Sequence, residues 1–358
     1  MNAERDIAGV ALPFAIGVIA TAIPQGYPSI LLYTLGILSS AAVIITLAVL
    51  FSGKHPSRIL IGLSSLSCGI VVGITHQAAW AETFSIVPEW AEELCQGLKS
   101  HIMSMGFEDS QTKSIIIALL TGDKGALSNE TIVAFRSSGA AHILALSGFH
   151  LGIIYALISR SLHILGNSVN SKRIRSTLII IFCGIYTAAT GAGPSISRAF
   201  LFILIGEIAA ITGRYRSTTT VMMSSLMIQL LFSPGSARSV GFQLSYAAMA
   251  GIAFIFPWLK RLWPDNEHGP LKWIWTSASM SIACQITTGP LVYLYFGTFA
   301  RHFLLTNLLT LPLASMVIPL SLITICLDMA EICPEFMLTL TERCVGWMMK
   351  IISTIASI

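Results

Sequence analysis

From Thr121 to Gly152 the chain reads TGDKGALSNETIVAFRSSGAAHILALSGFHLG, a charged, capped segment that runs into an apolar stretch carrying His142, Ser147 and His150. Read as one helix from 142, His142, Leu146 and His150 fall at i, i+4 and i+8, with Ser147 three residues before His150. Both imidazoles and the hydroxyl then share one stripe. Gly148 leaves room there for another backbone to approach. Three kinds of chemistry fit such a stripe: polar lining of a passage, hydrogen bonds between helices, or catalysis. A shared metal is not among them, because positions i and i+8 lie ~12 Å apart along the axis and paired histidine ligands are usually four residues apart. Ser147 followed by Gly148 also invites a nucleophile, as in an intramembrane serine hydrolase. The GxSG turn of such proteases lacks its first glycine here, position 145 being Ala. The nearest histidine also shares the serine's own helix, whereas a base is usually supplied by a separately positioned element.

The elements that must hold these groups are set by the solvent. Of 358 residues, 54% are hydrophobic and 11% charged, against roughly 25% charged in soluble domains, and the mean hydropathy is +0.77. The expectation is an all-α, polytopic transmembrane bundle of about ten spans of ~20 residues, with Pro- and Gly-broken helices. Spans are expected near 8–23, 29–51, 58–75, 142–165, 175–190, 195–212, 217–232, 238–258, 273–296 and 302–327, with a further apolar segment at 337–358. Residues 1–75 form the N-terminal helices, 76–113 an extracytoplasmic amphipathic segment, 114–327 the core and 328–358 a C-terminal apolar helix. The N-terminus reads as a first span rather than a cleaved signal, since Glu4 and Asp6 outnumber Arg5 in the would-be positive region. The seven cysteines form no CxxC pair and read as small core residues. There is no GxxxxGK[ST] loop, paired zinc motif or heptad array, so no cofactor is expected, and energy for any transport must come from a gradient or a partner.

With the N-terminus in the cytoplasm, eleven Lys and Arg residues fall inside, among them Arg5, Lys54, Arg58, Lys172, Arg173 and Arg175, against six outside. The interval His76 to Lys113 is then external. In it, Pro88 precedes Trp90, Leu94, Leu98, Ile102 and Met105 at i+4 and i+3 spacing, with acids near the start. That pattern makes a helix that lies on the bilayer surface or packs against the spans. Ser128 reads as an N-cap with Glu130 in the first turn, and Ser137-Ser138-Gly139 as a stop. Gly191-Ala-Gly-Pro194, Gly289-Pro290, Pro312 and Pro319 interrupt spans, and freed backbone groups are tolerated only inside protein or along a watery path.

Other polar groups sit within apolar spans. Arg198 and Glu207 are nine residues apart, about 180° around a helix, so each needs another partner or must snorkel. Gly241, Ser245 and Ala248 share a small-residue face suited to close helix packing, with Gln243 away from it. Gln243, Gln285 and Asn307 can each donate and accept inside a bilayer. Trp258, Trp263, Trp273 and Trp275 look like an interface belt.

The segment GDKGALSNETIVAFRSSGAAHILALSGFHLG is similar to the signature of the ComEC family, the competence channels of bacterial DNA uptake. Pro194-Ser195-Ile-Ser-Arg198-Ala199, GFQLS at 241–245, Gln285 with Pro290, Phe296-Gly297, and Asn307 with Pro312 follow in the family's order. The resemblance covers about residues 114–320. It implies a channel in the bacterial cytoplasmic membrane that passes single-stranded DNA inward, without being an enzyme itself. His142, Ser147, Gly148, His150, Arg198, Gln243, Ser245, Gln285 and Asn307 are the expected lining. The implied partners are the bilayer, an outer DNA receptor and a cytoplasmic helicase, ATPase or single-strand-binding protein. Family members resemble a three-part design, with an outer OB-type domain and a metallo-β-lactamase-like nuclease flanking the channel. This sequence looks like the channel core, so a separate nuclease is expected. A carrier of another solute or envelope polymer is the remaining alternative.

Overall fold

The computed structural model describes residues 2–22, 43–44, 46, 49, 57–79, 88–166, 168–213, 217–263, 269–297 and 302–357. These residues are helical, without strands, and the expected span at 29–51 lies largely outside them. Among the described residues four helical stretches are long and apolar enough to cross a bilayer: Gly148–Leu165, Pro194–Ile211, Val240–Lys260 and Phe303–Met329. The described residues are thus those of an all-α membrane protein, with four such stretches among them where about ten spans were expected of the whole chain. The chain divides into two compact units, Met1–Ser85 with Leu201–Met249, and Ile86–Phe200 with Ala250–Ile358.

The first unit contains α1 (Asn2–Ala22), α2 (Arg58–Ala79), α10 (Thr218–Phe232) and most of α11 (Val240–Ala250). Glycines let α1 and α2 touch backbone to backbone. A Cβ at Gly17 would strike the Leu66 carbonyl, and one at Gly69 would strike that of Phe14. Gly69 and Gly73 stand at the four-residue spacing that small-residue helix contacts use. Phe14, Ala15 and Val18 then share a buried cluster with Leu230, Ala237 and Phe242. The small-residue face expected at Gly241 does no comparable work: Gly241 is exposed, and a Cβ there would meet nothing within 4 Å.

The second unit is built around α4 (Ser110–Thr121), a helix absent from the sequence expectation. From Ser114 to Thr121 every residue is buried. Ile115 to Leu120 join one core with Ala314, Val317 and Ile318 of α14 (Phe303–Met329) and Val345, Met348 and Ile352 of α15 (Glu335–Ala356). Twelve residues make a helix of about 18 Å, too short for a hydrocarbon layer of ~30 Å. Its ends are therefore closed by protein. The Asp109 carboxylate accepts from the amides of Gln111 (2.9 Å) and Thr112 (3.2 Å), and the Asp109 amide donates to Glu342 Oε1 at 2.7 Å. At the other end Gly122 adopts φ 76°, the left-handed cap that glycine takes without strain.

Caps and stops form where the local sequence carries them. Pro88 opens α3 (Glu89–Ser104), and of the expected stripe Ile102 and Met105 enter the core while Trp90 and Leu94 stay exposed. Ser128 caps α5 (Asn129–Ser137), accepting from the Thr131 amide at 3.2 Å, and Gly139 follows at φ 83°. Alternation of spans places α3 and the end of α14 on opposite faces, yet His101 Nε2 lies 3.1 Å from Asp328 Oδ2. A 27-residue helix is about 40 Å long, so this contact brings the two to one level.

Two expectations are corrected. The helix drawn from 142 is broken: α6 (Ala141–Leu144) ends, Ala145 to Ser147 are non-helical, and α7 (Gly148–Ser161) starts anew. His142, Ser147 and His150 thus share no continuous stripe. The interior prolines, in contrast, do not break their helices. Pro290 lies inside α13 (Pro270–Phe296), and Pro312 and Pro319 inside α14, because neighbouring side chains and helices can meet the freed backbone groups. Real interruptions fall at Gly191-Ala192, both at positive φ, between α8 (Val169–Ala189) and α9 (Pro194–Ile211), and at a π-helical turn, Gly251–Ile255, leading into α12 (Phe256–Lys260).

Candidate functional site

In the second unit three turns meet. The first is Gly122-Asp123, which ends α4. Gly122 packs against Leu146 so closely that an added Cβ would overlap the leucine's Cδ1. Leu146 lies in the second turn, the break before α7. The third is the start of α9: a Cβ on Gly148 would come 3.3 Å from that of Ala199. Two motif blocks, LSGFH and PSISRA, are thereby in contact, and the Gly-Asp turn supports the first.

Asp123 holds its turn with both carboxylate oxygens, Oδ2 on Lys99 Nζ at 2.6 Å and Oδ1 on the Gly125 amide at 2.8 Å. The hydrogen bond to Lys99, then that to Gly125, keeps the Asp123 carboxyl below the usual carboxylate range. The same bond to Asp123 raises the Lys99 ammonium despite partial burial. On the other side Tyr186 of α8 donates its hydroxyl to the Leu120 carbonyl at 2.7 Å, satisfying an acceptor that the helix end leaves open. Lys99, Gly122 and Tyr186 escaped the sequence reading: each lies many residues from its partner, and only the Gly-Asp pair left a local trace.

Ser147 and His150 are neighbours after all. The imidazole Nδ1 lies 3.1 Å from Ser147 Oγ and 3.4 Å from the Ser147 amide, at the first turn of α7. Both can donate, so Nδ1 accepts and the ring proton sits on Nε2. His150 is 1% exposed, within the protein rather than on an open wall. His142 is exposed, with Nδ1 3.1 Å from the Gly139 carbonyl. That turn is fixed from α14, whose Thr306 donates to the Ser138 carbonyl at 2.5 Å, one residue before Asn307.

Arg198 is also 1% exposed, the largest fully buried side chain, and Glu207 is 6% exposed, so neither snorkels. Gln285 lies with Pro290, Tyr293 and Phe303 on an otherwise apolar groove in the second unit. Gln243 and Ser245 belong to the first unit, where Gln243 Nε2 donates to the Ala237 carbonyl at 3.0 Å. Among the described residues no cluster of His, Cys, Asp or Glu is arranged to hold a metal. Trp275 bonds the Leu259 carbonyl at 3.2 Å, while Trp258 and Trp273 are exposed, as belt residues would be.

Comparison with known proteins adds identity to this geometry. The model of the Competence protein family matches residues 119–358, about two thirds of the chain. Over 225 residues, 60% of the chain, the sequence is 30% identical to ComE operon protein 3 of Bacillus subtilis (strain 168), covering 26% of that protein. Over 216 residues, 58% of the chain, it is 26% identical to the uncharacterized protein YcaI of Escherichia coli (strain K12), covering 28% of it. The chain thus spans about a quarter of the length of these curated relatives. No solved structure matches it. With the family's matched region containing every one of the three packed turns, the chain belongs to the Competence protein family, the ComEC family that its motif blocks resemble.

Proposed function

We propose that this protein provides part of the route by which single-stranded DNA crosses a bacterial cytoplasmic membrane, as a channel rather than an enzyme. Family membership supplies the link to competence, and the observation that carries the reading is the packing of two non-helical turns, at Gly122-Asp123 and at Ala145 to Ser147, with the start of α9 in one helical unit. A strand's phosphates are repelled by hydrocarbon, so a path needs donors and backbone polar groups where helices are interrupted. His142, Ser147, Gly148, Gln285 and Asn307 would face the strand in the second unit, and Gln243 and Ser245 in the first. His150 and Arg198, buried as they are, would brace the lining. A cytoplasmic motor or single-strand-binding protein would pull, and an outer receptor would deliver. The basic asymmetry supports an N-terminus in the cytoplasm.

The Ser147–His150 contact favours a second reading, a serine hydrolase, more than the sequence did. Against it, among the described residues no carboxylate orients the imidazole, and serine and histidine belong to one helix start. Uptake of labelled DNA into cells, with surface-bound DNA measured apart, separates the readings. His142→Leu and His150→Leu should block entry at normal protein abundance, whereas Ser147→Ala should be mild. Loss of activity in Ser147→Ala alone, with labelling of the parent by a serine-directed probe, would replace the channel with the hydrolase. Orientation is read from single cysteines in a cysteine-free background. Gln96→Cys should react with an impermeant thiol reagent, Asn170→Cys should not, and Glu331→Cys should follow Gln96→Cys if the His101–Asp328 contact holds in the membrane.

A further inference from the structure

We propose that Lys99 and Asp123 are positioning residues, a clasp that sets the Leu146–Ser147–Gly148 turn for the passing strand; the proposal rests on the translocation reading above. The mechanical link is short. Lys99 Nζ holds Asp123 Oδ2 at 2.6 Å, and Asp123 holds its own turn through the Gly125 amide. Gly122, next in the chain, is pressed on Leu146 with no space for even a methyl group. Leu146 is bonded to Ser147, and Gly148 is in turn seated on Ala199 at 3.3 Å from an added Cβ. A shift of the turn toward Leu146 therefore displaces that side chain, and a displacement passed to the Leu146 backbone reaches Ser147 and the Gly148–Ala199 seat.

A global stabilising role is the weaker account of this ion pair. Its side chains are 21% and 44% exposed, and pairs of that kind contribute about 0–1 kcal/mol in most cases. α4 is already fixed by its buried face and by Tyr186 on the Leu120 carbonyl. What the pair adds is direction: a charge-assisted bond from α3 that fixes where the turn points.

The test uses the full chain in its membrane. Asp123→Asn should lower DNA entry by about tenfold, the scale of one charge-assisted hydrogen bond, at unchanged abundance and unchanged surface binding. Lys99→Arg should stay within about twofold, since it keeps the charge and the reach. The exchanged pair, Lys99→Asp with Asp123→Lys, remakes the ion pair but not the Gly125 bond, for which lysine has no acceptor, so it should recover part of what either single change loses, which a residue needed only for folding or for its own contact with DNA would not do. A second readout needs no transport: the thiol reactivity of Ser147→Cys should change when Asp123→Asn is added and move back toward the parent value in the exchanged pair. If Asp123→Asn fails to accumulate, Lys99→Met removes the donor from α3 and takes its place. Normal entry together with unchanged reactivity at position 147 would overturn the clasp. Changed reactivity in a protein whose deletion leaves DNA entry intact would keep the clasp and refute translocation.

Discussion

Two segments promise the same thing in sequence, a serine and a glycine beside a polar side chain within an apolar run: Ser147-Gly-Phe-His150 and Ser239-Val-Gly-Phe-Gln243. They fold differently. The first lies at a break between two helices, with its glycine pressed against Ala199 and its turn held by Gly122. In the second, Gly241 sits in the first turn of α11, exposed and with open space where a Cβ would be, while Gln243 reaches back to the Ala237 carbonyl. The difference lies in the backbone. Where helix is interrupted and then enclosed, main-chain and side-chain polar groups are left for another partner; where helix continues, a side-chain amide is absorbed by its own neighbourhood.

The sharpest way to break this comparison is to add one methyl group at each site. Gly122→Ala meets both a left-handed backbone, costing about 1–2 kcal/mol, and the Leu146 side chain, costing about 1–3 kcal/mol more. Its melting temperature in detergent should fall by many degrees. Gly241→Ala should be neutral or stabilising by up to about 1 kcal/mol, because alanine favours helix and the added Cβ meets nothing within 4 Å. Equal effects at the two positions would show that the enclosed turn is not special.

A smaller contrast concerns single hydrogen bonds. Tyr186→Phe removes the donor to the Leu120 carbonyl and should cost about 1 kcal/mol. Gln243→Leu should cost about 0.6 kcal/mol, the average for side-chain bonds within membranes. Thermal melts of the two variants side by side would read the order, and a larger loss at Gln243 would reverse the ranking of the segments.

The smallest expected effect is in pH. Asp123 has a lowered carboxyl, so its contribution is present above the ordinary carboxylate value of about 4 and is lost as pH falls through the lower folded value. Lys99 is raised, so its share is complete below about 10 and is lost only as pH rises beyond that. Between these limits the difference in melting temperature between wild type and Asp123→Asn should be flat, and it should shrink toward zero in acid. A difference that grows in acid would contradict the ion pair.

Much of the fold was legible because its signals are local. Hydropathy placed Pro194–Ile211, Val240–Lys260 and Phe303–Met329 to within a few residues, and Pro88, Ser128 and Gly139 acted as the caps and stops their chemistry predicts. The break at Ala145 to Ser147 was not legible, since Ala-Leu-Ser contains no helix breaker, and packing against Gly122 and Ala199 together with the Ser147–His150 bonds holds it open. The prolines misled in the other direction. A lone proline removes one amide and clashes with one carbonyl, a local loss that the rest of a long, packed helix can carry.

The sequence by itself determined the solvent, the helical class and the family, because composition, period and ordered motif blocks are properties of the chain read in one dimension. Only the tertiary structure decided which polar residues meet. Lys99 finds Asp123 across 24 positions, Tyr186 finds Leu120 across 66, and Thr306 finds Ser138 across 168. Those pairings follow from the burial of α4 against α14 and α15, which brings distant turns to one place, and no spacing within a single helix could have announced them.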